Sequence, residues 1–206
     1  MRNRTKLFFA CLMATAFMAG VVSSASAGHF SVDERGFRIT WRELNLTDPI
    51  VRVGVHCPIT MEGSFHSATI QKTPEALIGY VSRATVGNQA CTGGHATVLQ
   101  ESLPWHVRYI GFTGALPNIT RIRTSIAHPA FRLREVAIIG ECLTSPEEVF
   151  GEIETGTREA GGAWKPDNVI PDATISYPCG ALEGQFSGNG RATRLGSTTR
   201  ILLRLI

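Results

Sequence analysis

Apolar and polar residues alternate along most of this chain with a period of two. Phe37, Ile39 and Trp41 share one side and Arg38, Thr40 and Arg42 the other, the pattern of a half-buried strand. Val51, Val53 and Val55 repeat it. Cys57-Pro58 reads as an interruption, after which Ile59, Met61, Gly63 and Phe65 resume the alternation and Ala68 to Gln71 extends it. Leu77 to Val86 and Ala96 to Glu101 predict two more strands. The run from Cys91 to Ile126 is the most strongly patterned, and the fold is expected to be built around its middle strand, Trp105 to Thr113. There Trp105, Val107, Tyr109 and Gly111 face one way and His106, Arg108, Ile110 and Phe112 the other. Neither face is wholly polar, which suits a central strand. Pro104 cannot donate to a ladder and belongs at a strand start or edge. The next strand, Ile119 to Ile126, needs a bulge near Arg121 to reconcile its spacing.

Beyond His128-Pro129, an apolar strand is predicted over Val136 to Cys142. Ser145-Pro146-Glu147-Glu148 matches a capping box and predicts one helical turn. Residues 155–172 are rich in Gly, Glu, Thr and Pro, with Trp164 as their one large apolar residue, and read as a long surface loop. Strands are expected again over Ala173–Tyr177, Leu182–Phe186, Arg191–Leu195 and Arg200–Ile206, with Gly188-Asn189-Gly190 as a tight hairpin turn. Cys57…Glu62-Gly63-Ser64-Phe65 is echoed by Cys179…Glu183-Gly184-Gln185-Phe186, which suggests two equivalent strands, one in each sheet. Roughly a dozen short strands with frequent turns and no amphipathic helix define a single all-β domain over residues 28–206, an antiparallel sandwich or partly closed barrel.

The first 27 residues have a different character. Arg2, Arg4 and Lys6 precede an uncharged apolar run from Leu7 to Val22, and Ala25-Ser26-Ala27 offers a small-x-small cleavage site. That is the plan of a secretory signal peptide, cleaved before Gly28. The leader carries three of the 20 basic residues and none of the 17 acidic ones, so the remaining chain balances 17 against 17. A neutral chain gives no electrostatic case for nucleic acid or for an anionic membrane. Outward-facing positions carry Arg, Glu and Gln too often for an outer-membrane barrel. The predicted location is therefore extracellular or in the cell envelope, with no membrane insertion after cleavage.

Four cysteines remain after cleavage: Cys57, Cys91, Cys142 and Cys179. In an exported chain an even count predicts disulfides. The local pairings Cys57–Cys91 and Cys142–Cys179 are the expectation, each closing a loop worth on the order of 4 kcal/mol. A four-cysteine zinc site is disfavoured, since no two cysteines stand at the close spacing such sites use.

LPWHVRYIGFTGALPNI (Leu103 to Ile119), CTGG (Cys91 to Gly94), GSFH (Gly63 to His66) and the ending from Gly184 to Leu195 resemble a group of exported, β-rich actinobacterial proteins for which no activity is known. The resemblance spans most of the chain after the leader. It implies a high-GC Gram-positive source, in keeping with Arg outnumbering Lys, and transfers no activity.

Candidate chemistry is sparse. There is no Gly-x-Ser-x-Gly elbow for a serine nucleophile. His56, His66, His95, His106 and His128 lack metal-site spacing, although His56 could meet His66, and His95 could meet His106, if their strands pair. No metal, cofactor or catalytic residue is assigned. Glu147, Glu148, Glu152, Glu154 and Glu159 crowd one segment and read as a solvated loop; Glu62 and Glu183 would be better placed for a glycosidase. Trp105, His106, Arg108, Tyr109 and Trp164 form the one candidate binding surface, suited to sugar stacking or a protein contact. The spacing of Trp105 and Tyr109 with Val107 is equally that of an inward, core-facing row. The expected function is a non-catalytic binding or structural module, its candidate partner a cell-wall glycan or an extracellular protein. The alternative is a secreted hydrolase acting on cell-wall or polysaccharide material.

Overall fold

The computed structural model describes residues 29–47, 54–87, 91–115, 118–136, 140–144, 148–155, 160–166, 175–176, 185–201 and 203–205. Their strands are β1 (His29–Val32), β2 (Gly36–Thr47), β3 (Gly54–Phe65), β4 (Thr69–Gln71), β5 (Leu77–Val86), β6 (His95–Val98), β7 (Trp105–Ala115), β8 (Asn118–Ala127), β9 (Phe131–Val136), β10 (Gly140–Thr144), β11 (Glu148–Thr155), β12 (Ala160–Pro166), β13 (Ile175–Ser176), β14 (Gln185–Arg194) and β15 (Leu203–Leu205). A 3₁₀ turn over Gln100–Ser102 leads into β7. The protein is all-β, as the alternation predicts.

Eight antiparallel strands close a barrel in the order β11-β12-β14-β2-β3-β5-β7-β8. The two predicted architectures thus resolve to the barrel, and it is closed. β8 pairs with β11 from Ala127↔Glu148 to Arg121↔Glu154, so the wall meets itself. Closure follows from the pleat. Every second residue of β3, from Val55 to Phe65, is buried, and its neighbours are half-exposed. The inward positions of β2, β3, β5 and β7 fill the interior with Trp41, Ile59, Val81, Trp105 and Tyr109. Burying a large apolar side chain contributes about 1.5–3 kcal/mol each. Apolar inside and charged outside is the reverse of a lipid-facing barrel.

Both ends of the barrel are plugged. At one, the sheet β15-β1-β4 brings Phe30, Ile70 and Leu203 against the inner wall, with Phe30 6.0 Å from Tyr109. At the other, the sheet β13-β10-β9-β6 inserts Phe131 between Trp105 (5.6 Å) and Phe186 (5.8 Å). The Cys57–Cys91 disulfide forms as predicted and ties β3 to the segment leading into β6. Cys142 is buried in β10 and disulfide-bonded; its predicted partner, Cys179, lies outside the described residues.

Several local expectations are corrected by one belt of irregularity. Gly188-Asn189-Gly190 is no hairpin: it lies within β14 as a bulge between Gly188↔Leu44 and Gly190↔Trp41. Pro58 does not interrupt β3 either. It sits opposite the bulge in β2 between Trp41 and Leu44, where the ladder is already broken, which is where a strand tolerates proline. A Cβ on Gly190 would lie 2.6 Å from the Trp41 indole, so glycine there admits the tryptophan. The long loop expected at 155–172 instead contains β12, a barrel strand pairing with both β11 and β14. Its small residues give little hydrophobic signal, and its strand character comes from neighbours on either side. The echoed Phe65 and Phe186 lie in one sheet rather than two, on the strands flanking β2. The predicted middle strand, β7, is one barrel strand among eight; β2 and β3, at 12 residues each, are the longest. The predicted capping turn at 145–147 lies outside the described residues, and Glu148 already belongs to β11.

Candidate functional site

The predicted aromatic surface divides. Trp105 and Tyr109 are each 1% exposed and belong to the core. Trp105 Nε1 donates to Ser102 Oγ at 2.8 Å, which satisfies its polar edge without solvent. Burial pushes the Tyr109 phenol above its ordinary pKa by desolvating the phenolate. As a binding surface these two are corrected to core. The alternation that put them on one face was right, and the face is the inner one, because closure gives a barrel a single interior. His106 remains exposed, and Arg108 is half-exposed. The side chain of Trp164 lies outside the described residues.

Arg108 is already engaged. Its Nη1 lies 3.4 Å from Glu148 Oε1 and 3.9 Å from Glu75 Oε2. Ser125, fully buried, donates its hydroxyl to the same Glu148 oxygen at 2.7 Å. Further along the same strand, β11, Glu152 pairs with Arg121 at 2.9 Å and with Arg123 at 4.0 Å. Glu148 and Glu152, two of the glutamates expected in a solvated loop, thus stand on β11 and face arginines on β7 and β8; Glu147 and Glu159 lie outside the described residues, as does the side chain of Glu154. Each arginine of this wall meets a carboxylate across the strands.

The histidines do not converge. His56 bonds Asn45 Oδ1, His95 lies 3.2 Å from Glu135, and His66 stacks near Tyr80. His56 lies near the start of β3 and His66 just past its end, so no pairing of two strands brings them together. No group of three metal-ligating side chains occurs among the described residues. A row missed by sequence reading runs Ser187, Asn45, His56 and Thr92 across β14, β2, β3 and the strand-like bridge at Thr92. Asn45 Nδ2 donates to Ser187 Oγ at 3.2 Å. The amide therefore stands between the hydroxyl and the ring, which is not the direct serine–histidine contact a nucleophile needs.

Among the described residues, the two larger hollows lie outside the barrel. The interior holds an apolar cavity of about 30 Å³, lined by residues such as Phe37, Val107 and Leu203. Its lining is apolar apart from Thr124, whereas a buried water is held by two to four polar partners. The outer wall carries an open groove of about 370 Å³ lined by Arg38, Thr40, Thr60, Glu62, Arg83 and Thr85. The register builds it. Thr40, Thr60 and Thr85 are direct cross-strand partners on β2, β3 and β5, and Arg191 on β14 continues the row beside Thr40. The adjacent row is Arg38, Glu62 and Arg83. Directly opposed residues share a face, so both rows point outward. Arg38 grips Glu62 Oε1 through Nε and Nη2, both at 2.7 Å. Arg83 stands back at 3.6 Å from Oε2, its side chain 69% exposed. A second open hollow of about 330 Å³ runs between β5 and β6, and Thr85 lines both. Glu62, singled out in the sequence for a different chemistry, is the centre of this groove; the arginines and threonines around it needed the strand register to be found. Glu183, its counterpart in the echo, lies outside the described residues.

No family model, no curated protein and no solved structure matches this chain. No helix among the described residues is long and apolar enough to cross a membrane. The disulfide is the mark of an oxidising, extracellular-type setting.

Proposed function

We propose that this chain is an exported, non-catalytic binding module of the cell envelope or extracellular space, released from its leader before Gly28 and presenting the outer barrel wall around Glu62 to its ligand. The observation that carries this reading is the distribution of space. The interior is packed to a residual cavity of about 30 Å³, and the polar groups converge on an open outer groove of about 370 Å³. A shallow groove lined by arginine and threonine suits recognition of an extended surface or polymer rather than enclosure of a reacting group. A second disulfide, Cys142–Cys179, belongs to the same proposal, as does kinship with the exported actinobacterial group that the central motif resembles. A hydrolase would need paired carboxylates at the groove; the groups in contact with Glu62 are two guanidinium ions. The test is a pull-down of the oxidised protein, residues 28–206, against insoluble cell-wall material, soluble glycans and culture-supernatant proteins. Saturable binding weakened by Thr60→Tyr, which fills the groove without changing its charge, supports the reading. Turnover of any of these polymers, abolished by Glu62→Gln, overturns it.

A further inference from the structure

The charges of this molecule are segregated, although their sum after the leader is neutral. On the wall formed by β7, β8 and β11, carboxylates meet the arginines. Around the groove on β14, β2, β3 and β5, Arg38 and Arg83 share the single carboxylate of Glu62, and Arg191 has no acidic partner among the described residues; farther along the same strands Arg194 pairs with Asp33 and Glu43 lies beside His56. Three guanidinium groups against one carboxylate leave a local excess of two positive charges around a row of three hydroxyls. The Arg38–Glu62 contact is tight and Arg83 is held loosely, so Arg83 and Arg191 are the groups able to turn to a ligand.

From this juxtaposition we infer that the groove binds a linear, hydroxyl-rich polyanion, a glycan or polyol polymer bearing carboxylate or phosphate groups. The inference rests on the reading of the chain as a binding module and specifies its ligand class. Guanidinium is planar and engages carboxylate or phosphate oxygens two at a time. Threonine hydroxyls both donate and accept, which matches a partner whose own hydroxyls do both. Strand spacing sets Thr40, Thr60 and Thr85 about 4.8 Å apart, a ladder of hydroxyls that runs towards Thr85, where the second hollow begins. A linear chain can follow that course; a compact small molecule would leave most of it empty. Neutral sugars would leave Arg83 and Arg191 without a counter-charge.

The experiment uses the oxidised protein, residues 28–206, and four immobilised probes: a polyuronate, a poly(glycerol phosphate), a neutral glucan of similar length and single-stranded DNA. Retention is expected on the polyuronate or the poly(glycerol phosphate), and whichever binds more tightly identifies the source of the charge. Arg83→Ala and Arg191→Ala should each weaken it about tenfold, the worth of one charge-assisted contact. Raising salt well past about 0.15 M should weaken it further. Arg108→Ala, outside the groove and already paired with Glu148, should bind as the parent does. Equal, salt-independent binding of the neutral glucan, unchanged by Arg83→Ala, would refute the polyanion while leaving the binding module intact. Equal binding of DNA would reduce the groove to a non-specific cationic surface and also refute it. Retention on none of the four, with saturable binding to other cell-wall material, would do the same; no binding anywhere removes both readings.

Discussion

The two outer walls of the barrel are made from the same residue types and do different things with them. On β7, β8 and β11, Arg108, Arg121 and Arg123 face Glu148 and Glu152, and Glu148 also takes the buried Ser125 hydroxyl. Around the groove on β14, β2, β3 and β5, Arg38 and Arg83 meet one glutamate, Arg191 meets no carboxylate among the described residues, and Thr40, Thr60 and Thr85 line the rest. The first wall closes the barrel: β8 and β11 form the seam, and their cross-strand pairs help to fix its register. The second wall has long ladders on both sides of β2, each interrupted by one bulge, and does not depend on charge for its register. Its charged groups are left available. Paired ions at a seam therefore read as architecture, and an imbalance on a well-laddered wall reads as recognition.

The largest effect that sharpens this contrast comes from the disulfide. Cys57–Cys91 ties β3, in the middle of the groove wall, to the segment leading into β6. Replacing both cysteines by Ser should cost on the order of 4 kcal/mol in denaturant unfolding. Hydrogen exchange should rise first in β3 and leave β8 and β11 protected; uniform loss across both walls would break the distinction. Glu148→Ala comes next, at about 1–3 kcal/mol, because it leaves the Ser125 hydroxyl buried without its acceptor and Arg108 with only the more distant Glu75. Glu62→Gln should cost less than about 1 kcal/mol, since Arg38 and Arg83 can turn to water, with side chains 38% and 69% exposed. If chemical unfolding showed Glu62→Gln to be the more damaging of the two, the assignment of roles to the walls would be reversed.

The smallest effect at neutral pH comes from the inner face that both walls share. Burial raises the pKa of Tyr109 above its ordinary 10.0, so the unfolded chain releases this proton first. Stability is then untouched below that value and falls as pH rises through it towards the folded-state pKa. Tyr109→Phe should flatten the alkaline arm of a stability–pH curve and leave the neutral region nearly unchanged. An identical alkaline loss in the variant would assign that arm to other groups.

Much of the fold was legible along the chain because alternation is a direct consequence of the strand pleat. The inward rows of β2, β3 and β7 were readable from Phe37, Ile39, Ile59, Met61, Trp105 and Val107, and so was the Cys57–Cys91 bridge. β12 was not, because Ala160 to Pro166 carries four small residues in a row before Trp164 and no run of large ones. The bulge belt was misread for a related reason. Glycine and proline mark a break in the local pattern, and a turn and a bulge leave the same mark. Of the groove, Glu62 was visible as an isolated acidic residue on a strand, while Arg38, Arg83 and Arg191, 24 residues or more apart along the chain in the case of Arg38 and Glu62, had nothing in sequence to join them.

What the sequence determined by itself was the period-two burial, the all-β class and the bridge from Cys57 to Cys91. Each depends on residues near one another or on a residue type with one dominant use. The tertiary structure decided whether the barrel closes, which face of β7 is interior and which charges find partners. Those outcomes depend on strand order and register, in which a shift of one residue would exchange every inward side chain for an outward one. The groove around Glu62 exists at that level: it is a property of β14, β2, β3 and β5 lying side by side, and of no one of them alone.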